Sequence, residues 1–439
     1  MKVIADLQIH SRFSRAVSPQ MNVPSIFEWA AKKGLGLVAT GDWTHPIWLR
    51  ELKANLQEAR EGIYRLKSQA QLTNDKLAPL FLLSTEVSSI YTQGGKVRRI
   101  HTLIFAPNFD AVDRINKELS AYGANLLSDG RPILGLSAKA VAEIALGVDG
   151  RCLIIPAHAW TPHFSLYGSL SGFDSIDECF GDLANQIYAI ETGLSSDPAM
   201  NWRIGELTNR RIVSFSDAHS LPKLGRETTV FELPEISFEN IRNAVIGKGD
   251  SRIAYTSEFY PEEGKYHYTG HRACRVVYSP NETRKMGTTC PVCGRPLTVG
   301  VMSRVESLAS QEVETESQTD EFGVRWIKHK EGKRPPYVMM VPLFEILAEA
   351  MEAGVGSEKV QGAYEQLVAS FGGEFKVLLE TSVEEIKKVV GERIAEGVSK
   401  VRIGNIVIEP GYDGVYGKVA IWKEEKDKSE ETSQGALFG

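Results

Sequence analysis

The sequence predicts an α/β fold whose first half forms a seven-stranded (β/α) barrel. Short apolar runs recur there, and several segments between them carry apolar residues at helical spacing. Continuous apolar strands separated by helices are typical of a parallel sheet covered on both faces, and seven such units favour a barrel over an open sheet. The runs cover residues 3–7, 35–40, 80–85, 100–105, 152–156, 187–190 and 212–215.

Helical spacing is clearest over residues 23–33 and 47–70 of this first half. The whole chain has 439 residues, which is more than one ordinary domain holds. We therefore expect four segments, namely the barrel (1–255), a Cys/His zinc-binding module (256–305), an α-rich C-terminal domain with a small strand pair (306–422) and a tail (423–439). The last domain is predicted from amphipathic helical spacing followed by an alternating stretch.

Composition limits the classes of protein that the chain can belong to. Hydrophobic residues make up 42% and charged residues 24%, as in soluble globular proteins. The N-terminus has no basic-then-apolar signal, and no run is long enough to cross a bilayer, so we expect a cytoplasmic protein without a membrane partner. The net charge of −6 means that any DNA-binding surface must be a local basic one.

Imidazole and carboxylate side chains follow or flank the predicted strands, one after another. They are His10, Asp42, Glu86, His101, His158, Glu191, Asp217 and His219. The carboxyl ends of parallel strands converge on one rim, where such carboxylates would repel each other unless cations lay between them. A lone histidine is explained by ordinary hydrogen bonds, but the whole set predicts a polynuclear centre of zinc, manganese or iron.

The order of the motifs "DLQIHS", "TGD", "STE", "RRIH", "PAH" and "SDAH" resembles the PHP superfamily of metal-dependent phosphoesterases. The resemblance covers about residues 1–250 and implies a distorted barrel with three metal ions. It implies that Glu86 bridges two of the ions. It assigns His10, Asp217 and His219 to the same metal pair, His101 and His158 to a third ion, and Asp42 to a position that is often histidine. We expect Glu86, Asp217, His10 and Asp42 to form the catalytic centre.

Gln8 departs from the opening His-x-His motif of that superfamily. A neutral amide binds zinc or manganese more weakly than imidazole does. The resemblance therefore implies one loosely held ion, or magnesium or water in its place. Asp6 is a carboxylate on the same strand that would compensate.

A second cluster of metal-binding residues lies in the sequence "YTGHRACRVVYSPNETRKMGTTCPVCGRPLTVGV". Cys290-x-x-Cys293 is followed by Gly294, a turn that aims both thiolates at one ion. Cys274 supplies a third ligand, and either His271 or His267 the fourth. A redox CxxC pair usually precedes a helix, whereas "CPVCGRPL" indicates a turn, so the sequence favours one structural zinc.

The barrel motifs and this module together resemble the endonuclease Q family over about residues 1–420. The resemblance also includes "IHSRFSRAVS", "SDGRPILGL", "YGSLSGFDSIDECFGDL" and "ETGLSSDPAMNWR". It implies an endonuclease that cuts double-stranded DNA on the 5′ side of deaminated bases (uracil, hypoxanthine, xanthine) or abasic sites. Metal-activated water would be the nucleophile, with Mg among the metals that support activity.

A damaged base must leave the helical stack before it is read. The loop after His158 carries aromatic residues that would stack on such a base, and Arg12 lies beside the first motif; the base-pocket candidates are Trp160, Phe164, Tyr167 and Arg12. The alternative for the aromatic residues is a plug that packs on the barrel. Basic side chains for the DNA backbone occur at residues 96–99, 272, 275, 284, 285, 295 and 328–334, and their density around the zinc module favours it as a DNA clamp.

The C-terminal tail is polar and charged until its last residues. This composition predicts a disordered tether. Gln434, Leu437 and Phe438 resemble the bacterial sliding-clamp-binding pentapeptide, which would raise the local concentration of the enzyme on DNA. The alternative is an arbitrary frayed end.

Two other functions remain to be compared with the endonuclease hypothesis. A PHP-type phosphatase would act on a small phosphorylated metabolite, but it needs neither a zinc module nor a clamp motif. A non-catalytic DNA-binding accessory protein would explain Gln8, but it would not need the remaining ligand set.

Overall fold

The computed structural model describes residues 1–69 and 78–423. Strands and helices are interspersed through the first 260 residues. The strands are β1 (Lys2–Asp6), β2 (Leu37–Ala39), β3 (Leu56–Arg60), β4 (Ile63–Leu66), β5 (Leu80–Leu82), β6 (Ser84–Gln93), β7 (Lys96–Phe105), β8 (Ile133–Leu134), β9 (Leu153–Pro156), β10 (Ala189–Glu191), β11 (Arg211–Val213), β12 (Thr228–Glu232) and β13 (Arg252–Glu258). The helices are α1 (Val23–Lys33), α2 (Pro46–Asn55), α3 (Phe109–Ala121), α4 (Ala138–Val148), α5 (Ile176–Phe180), α6 (Pro198–Trp202) and α7 (Phe238–Ile246).

Helices dominate the remainder of the described chain. Its strands are β14 (Thr269–His271), β15 (Val276–Tyr278), β16 (Thr315–Thr319), β17 (Arg325–His329), β18 (Tyr337–Met339), β19 (Val407–Glu409) and β20 (Lys418–Ala420). Its helices are α8 (Pro280–Met286), α9 (Val301–Leu308), α10 (Leu343–Ala350), α11 (Glu358–Phe371), α12 (Glu374–Leu379), α13 (Val383–Val390) and α14 (Glu392–Ile403). Within the two described stretches, no helix is both long and apolar enough to cross a bilayer.

The sheets make this a mixed α/β fold. A ten-stranded sheet has the order β16-β17-β18-β13-β12-β1-β2-β5-β4-β3, and a four-stranded sheet has the order β8-β6-β7-β9. β10 and β11 form a parallel pair, and a parallel bridge between Ile9 and Ala218 joins the segments that follow β1 and β11. All seven apolar runs contain strands, whereas the closure of these strands into a seven-stranded barrel stays a prediction.

The apolar runs predict a parallel sheet, but strands of the four-stranded sheet pair in antiparallel register. β6 pairs with β7 in antiparallel register, and β7 pairs with β9 in the same sense. Both strands of the β6–β7 hairpin are ten residues long, so their outer ends extend beyond the apolar runs. This hairpin carries two of the predicted metal ligands.

The helix predicted over residues 47–70 ends early. α2 stops at Asn55, and the next residues form the β3–β4 hairpin. Gly62 sits in its turn at φ 65°, and a Cβ there would come within 2.5 Å of Phe238. Tyr64 packs edge-on against Phe109 with the ring centroids 4.8 Å apart. Tertiary packing and a glycine turn therefore override local helical spacing.

The predicted domain boundary between residues 255 and 256 falls inside β13. This strand pairs with β12 on one side and with β18 on the other, so one sheet continues across the boundary. The β16–β17 hairpin extends the same sheet and has no counterpart in the sequence-based expectation. Helices α10–α14 and the β19–β20 pair agree with the predicted C-terminal region.

A buried ion pair connects the N-terminal and C-terminal parts of the fold. Lys33 Nζ at the end of α1 lies 2.6 Å from Glu374 Oε2 at the start of α12. The Tyr364 hydroxyl donates a hydrogen bond to the same oxygen at 2.9 Å, and the Leu343 amide donates to Glu374 Oε1 at 3.0 Å. Removing one partner of such a pair typically costs about 3–5 kcal/mol. The two parts of the chain are thus fixed against each other.

Candidate metal centre

Three of the predicted metal ligands adopt a left-handed backbone conformation. Asp42 has φ 49°, His158 has φ 31° and Asp217 has φ 48°. Such angles are unfavourable for residues other than glycine and cluster at functional sites. At all three positions the chain leaves the strand region sharply, which brings side chains from distant parts of the sequence together.

The first group of candidate ligands, here called the His10 group, consists of His10, Asp217 and His219. Their ligand atoms lie within 4.8 Å of one another. His10 Nε2 is 3.1 Å from Asp217 Oδ1, and His219 Nδ1 is 3.7 Å from the same oxygen. The Asp217 and His219 side chains are 24% and 33% exposed, so this side of the site is open to solvent.

The second group, here called the His101 group, consists of Glu86, His101 and His158. Their ligand atoms also lie within 4.8 Å of one another. Glu86 Oε1 is 2.5 Å from His101 Nδ1 and 3.4 Å from His158 Nε2. Ser88 is opposite His101 in the hairpin register, and Glu86 precedes Ser88 by two residues, so Glu86 and His101 share one face of the sheet.

Glu86 connects the two groups. Its Oε1 faces the His101 group, while its Oε2 lies 3.0 Å from His10 Nε2. The carboxylate is buried, and burial alone would raise its pKa. Arg131 and His101 outweigh this effect and lower the pKa of Glu86 well below the usual range. This ionised carboxylate can serve a cation on each side, which is the geometry expected of a bridging ligand.

Asp42 does not belong to either group, although the sequence suggests it as a ligand. Asp42 Oδ1 is 2.9 Å from His10 Nδ1, and Oδ2 accepts hydrogen bonds from the Ser11 amide, the Ser11 hydroxyl and the Ser14 hydroxyl. Burial would raise the pKa of Asp42, but the charge of His10 lowers it. A carboxylate on the second ring nitrogen holds a histidine in the tautomer that presents the other nitrogen. Asp42 therefore orients His10.

Asp6 has a structural role in this fold. Its oxygens accept hydrogen bonds from the Ser216 amide at 3.0 Å, the Ser216 hydroxyl at 2.6 Å and the Gly225 amide at 2.9 Å. Burial raises its pKa to about 6 in spite of these bonds. Asp6 fixes the backbone just before Asp217 and is occupied on both oxygens, so it does not compensate for Gln8 as a ligand.

Gln8 holds Glu86 in place. Its Nε2 donates a hydrogen bond of 2.9 Å to Glu86 Oε2. Its Oε1 is buried and finds no hydrogen-bond partner in the part of the chain that the structure describes. The amide thus takes the place of the first histidine of the His-x-His motif and orients the bridging carboxylate with its N–H group.

Glu191 lies behind His158. One of its oxygens accepts a hydrogen bond from the His158 amide, and its Oε1 has no partner among residues 1–69 and 78–423. Burial raises the pKa of Glu191 to about 8. Glu191 belongs to neither group of clustered ligand atoms.

The donor set fits divalent cations. It combines imidazole nitrogens with carboxylate oxygens, the donors that zinc, manganese and iron accept. Burial lowers the pKa of His101 to about 4, so this ring is neutral at physiological pH and has a lone pair to offer. The buried, partnerless Gln8 Oε1 is a further oxygen at the same place.

Arg131 is a site residue that sequence reasoning missed. Its Nη1 lies 3.4 Å from Glu86 Oε1 and 3.4 Å from His10 Nε2. It comes from the loop between α3 and β8 rather than from the end of a long apolar run. Arg131 lies within "SDGRPILGL", one of the stretches that carry the family resemblance, and this was the sequence feature that could have indicated a site residue.

The structure divides the four candidates for the base pocket. Trp160 and Tyr167 are fully buried, with ring centroids 4.7 Å apart, and they bond to Asn201 and Glu206. These two aromatic residues pack inside the protein, as the alternative interpretation of a plug expects. The prediction that they stack on a base is therefore wrong.

Phe164 and Arg12 remain at the surface of the site region. Phe164 is partly exposed, has φ 62°, and lies against the His101 ring with centroids 4.8 Å apart. The guanidinium of Arg12 is 2.7 Å from Glu51 Oε1 and is 36% exposed. Phe164 is thus the aromatic side chain of the loop that touches a candidate ligand.

The second metal-binding arrangement, here called the Cys₃His cluster, consists of His271, Cys274, Cys290 and Cys293. Their ligand atoms lie within 4.8 Å of one another. Burial raises the pKa of Cys290, but the Cys293 and Val292 amides outweigh this effect and lower it to about 6, which favours the thiolate. His267 is buried outside the cluster, so the geometry favours His271 as the fourth ligand.

Residues 434–438, which carry the predicted clamp-binding motif, lie outside the described residues. That motif stays a prediction.

Comparisons with known proteins cover the full length of the chain. The crystal structure of the lesion-specific endonuclease PfuEndoQ from Pyrococcus furiosus has 33% sequence identity and a TM-score of 0.79, with 100% of both chains covered. A structure of endonuclease Q in complex with a 27-mer duplex substrate, with an abasic lesion at the active site, has 34% identity and a TM-score of 0.80, covering 97% of this chain and 98% of that one.

A family model and a curated relative match parts of the chain. The family described as the MJ0043 C-terminal domain matches residues 342–405, the region of α10–α14. The uncharacterized protein MJ0043 of Methanocaldococcus jannaschii is 32% identical over 270 residues, which are 60% of this chain. The chain covers only 31% of the length of that relative.

The ligand groups and the two full-length structural matches define the class of protein: a metal-dependent DNA repair endonuclease. Within this class the identity exceeds 30% over the whole chain. The chain belongs to the endonuclease Q family.

Proposed function

We propose that the protein cuts one strand of duplex DNA on the 5′ side of a deaminated base (uracil, hypoxanthine or xanthine) or of an abasic site. The observation that carries this proposal is the arrangement of the His10 and His101 groups around Glu86. The similarity to endonuclease Q bound to an abasic-lesion duplex supports the choice of substrate.

In this proposal the side chains of the two groups hold the divalent cations. His10, Asp217 and His219 would bind one ion, His101 and His158 would bind another, and Glu86 would contribute one oxygen to each. When bound, the cations supply Lewis acidity that activates water and neutralises phosphate charge. Asp42 keeps His10 in the required tautomer, and Gln8 orients Glu86.

Phe164 is our candidate for contact with the displaced nucleotide. Its partial exposure and its position against His101 support this role. Arg99 lies 5.7 Å from the ring centroid and adds positive charge nearby. A strained φ of 62° at a non-glycine residue fits a side chain that is held ready for a ligand.

The Cys₃His cluster would bind one structural zinc and present a basic surface to the DNA backbone. Five basic side chains around it are exposed: Arg272, Arg275, Arg284, Lys285 and Arg295. The basic segment at residues 328–334 is less suitable, because Lys330 and Lys333 pair with Glu314 and Glu331, and Arg334 bonds to the backbone.

The C-terminal tail would tether the enzyme to a bacterial sliding clamp through Gln434, Leu437 and Phe438. The support for this part is the sequence pattern alone. Deleting residues 434–439 is expected to abolish capture by the purified clamp and to leave the cutting of short oligonucleotides unchanged.

The substrate is tested with labelled duplexes that each contain one uracil, hypoxanthine, xanthine or abasic site, with an undamaged duplex of the same sequence as the control. Metal-loaded protein is expected to give one cut on the 5′ side of the lesion and none in the control. Intact lesion duplexes, together with rapid phosphate release from small phosphorylated metabolites, would favour the PHP-type phosphatase instead.

A further inference from the structure

Arg131 is held in the site by its backbone rather than by its own side chain. The Gly130 amide donates to the Phe13 carbonyl at 3.0 Å, and the Thr44 hydroxyl donates to the Gly130 carbonyl at 3.1 Å. The Arg131 amide donates to Asp129 Oδ1 at 3.0 Å. One residue further on, the Pro132 carbonyl accepts a hydrogen bond from the Ser88 amide at 3.0 Å.

Gly130 explains why the loop can come so close to the metal-ligand cluster. A Cβ at this position would lie 2.4 Å from Asp42 Oδ2 and 2.4 Å from the Ser14 hydroxyl. Only a residue without a side chain permits this approach, and the next residue then projects its guanidinium to Glu86. The placement of Arg131 is therefore built into the packing of the loop.

The guanidinium is not saturated by its neighbours. Its two contacts, to Glu86 Oε1 and His10 Nε2, are both 3.4 Å long and use the same nitrogen, Nη1. A structural arginine–carboxylate pair is normally shorter and uses two nitrogens. Among the residues that the structure describes, no hydrogen bond uses Nε or Nη2 of Arg131, and the side chain is 24% exposed. Donors remain for a ligand that enters from the open side.

We propose that Arg131 is a further catalytic residue, whose free guanidinium donors bind a non-bridging oxygen of the scissile phosphate. The inference rests on the proposed phosphodiester hydrolysis at this site. Arginine suits this role because its planar donors match phosphate oxygens and its charge is permanent. The same group adds a positive charge where negative charge grows in the transition state, without occupying a ligand position.

The test compares R131A and R131K with wild type and with R151A. Arg151 is a suitable control because it pairs with Asp149 and Glu61 next to the start of β9, whereas His158 follows the other end of that strand. Each protein is assayed on a lesion duplex and on bis(4-nitrophenyl) phosphate, a phosphodiester without a base or a helix. Metal content and circular dichroism are measured in parallel.

We expect R131A to lower the cutting rate by about 10²- to 10³-fold on both substrates, the usual effect of removing one donor to a developing negative charge. Metal content and the circular dichroism spectrum should stay at the wild-type level. R131K should keep more activity than R131A, and added guanidinium should partly restore R131A. Binding of an uncut lesion duplex by R131A should show a salt slope reduced by about 1.

Two results would overturn the role of Arg131. One is full activity of R131A on both substrates. The other is loss of bound metal in R131A, and equally in R131K, which would make Arg131 a support for Glu86 instead. Wild-type protein that cleaves the small phosphodiester but no lesion duplex would contradict the proposed DNA substrate. The rates of R131A and wild type could then still be compared on the small phosphodiester.

Discussion

The two metal-binding regions of this molecule are built in opposite ways. The four ligands of the Cys₃His cluster come from 23 consecutive positions, from His271 to Cys293, and the module around them is largely exposed. The ligands of the His10 and His101 groups span residues 10–219, and three of the six are buried while the other three are partly exposed. The first region is a local arrangement, whereas the second depends on the whole N-terminal fold.

The difference extends to the surroundings of the ligands. Cys290 packs against Val276 and Leu297 in a small apolar cluster, which is typical of a site that only stabilises structure. The His10 and His101 groups are surrounded by polar residues that hold ligands in position, such as Asp42 and Gln8. Arg131 also lies beside them and contacts Glu86 through one nitrogen, Nη1. The Cys₃His cluster is formed by residues close in sequence, whereas the His10 and His101 groups are formed by residues far apart in sequence. The two sites should therefore respond differently to mutation.

The largest effect is expected from E86Q. The amide keeps the shape of the side chain but removes the charge between the two groups, so cutting should fall about a thousandfold or more. Bound metal should decrease at the same time, measured by elemental analysis. E61Q, on the exposed Glu61, is the matched control and should behave as wild type. An E86Q protein with normal metal content and activity would contradict the bridging role.

The double variant C290S/C293S tests the other region. It should lose one zinc per chain and keep the metal of the His10 and His101 groups, because the clusters share no ligand. Cutting at low salt should fall by no more than about tenfold, whereas DNA binding should weaken further as salt rises. C152A is the control, since burial raises the pKa of the Cys152 thiol to about 12 and keeps it protonated. Complete loss of cutting at low salt in a folded protein would argue against a purely supporting zinc.

Q8H sharpens the comparison from within the site around Glu86. An imidazole at this position adds a metal donor, so metal affinity should rise by about tenfold, measured by competition with a chelator. Q8L should lower the affinity, because Glu86 loses the hydrogen bond from the amide. If Q8H and Q8L bind metal alike, residue 8 does not face the cations.

The smallest expected effect concerns the pH dependence of stability and the buried carboxyl group of Glu258. Glu258 bonds to Ser214 at 2.6 Å and to Thr192 at 3.3 Å, and burial raises its pKa from 4.5 to about 8. Because the folded protein holds this proton more tightly than the unfolded chain, the contribution to stability is full below about pH 4.5 and is lost as the pH rises through 8. E258Q should show a smaller fall in Tm than wild type between pH 6 and pH 9. An equal fall in both proteins would contradict this assignment.

Much of the architecture was predictable because the strands of the first half are short, buried and apolar. Each of the seven runs forms a strand, and the amphipathic segments near the C-terminus form helices. The failures have physical causes. The helix predicted to residue 70 ends at Asn55 because Tyr64 and Phe109 pack and Gly62 permits a tight turn. β13 crosses a predicted boundary because it finds a partner in the distant β18.

The candidate site was predictable in its residue types but not in its internal roles. The identity of a carboxylate does not tell whether both of its oxygens are already bonded, as they are in Asp6 and Asp42. Trp160 and Tyr167 are aromatic residues near the site in sequence, yet burial excludes them from contact with DNA. Arg131 lies in a loop, and its place beside Glu86 depends on the close approach of Gly130, which no strand or helix pattern shows.

The most direct measurement is anomalous scattering from crystals of the purified protein, combined with elemental analysis. We expect ions beside the His10 group and the His101 group on the two sides of Glu86, and a separate zinc at the four cysteine and histidine ligands. The absence of any ion near His10, Glu86 and Asp217 in protein that cuts lesion-containing DNA would contradict the account.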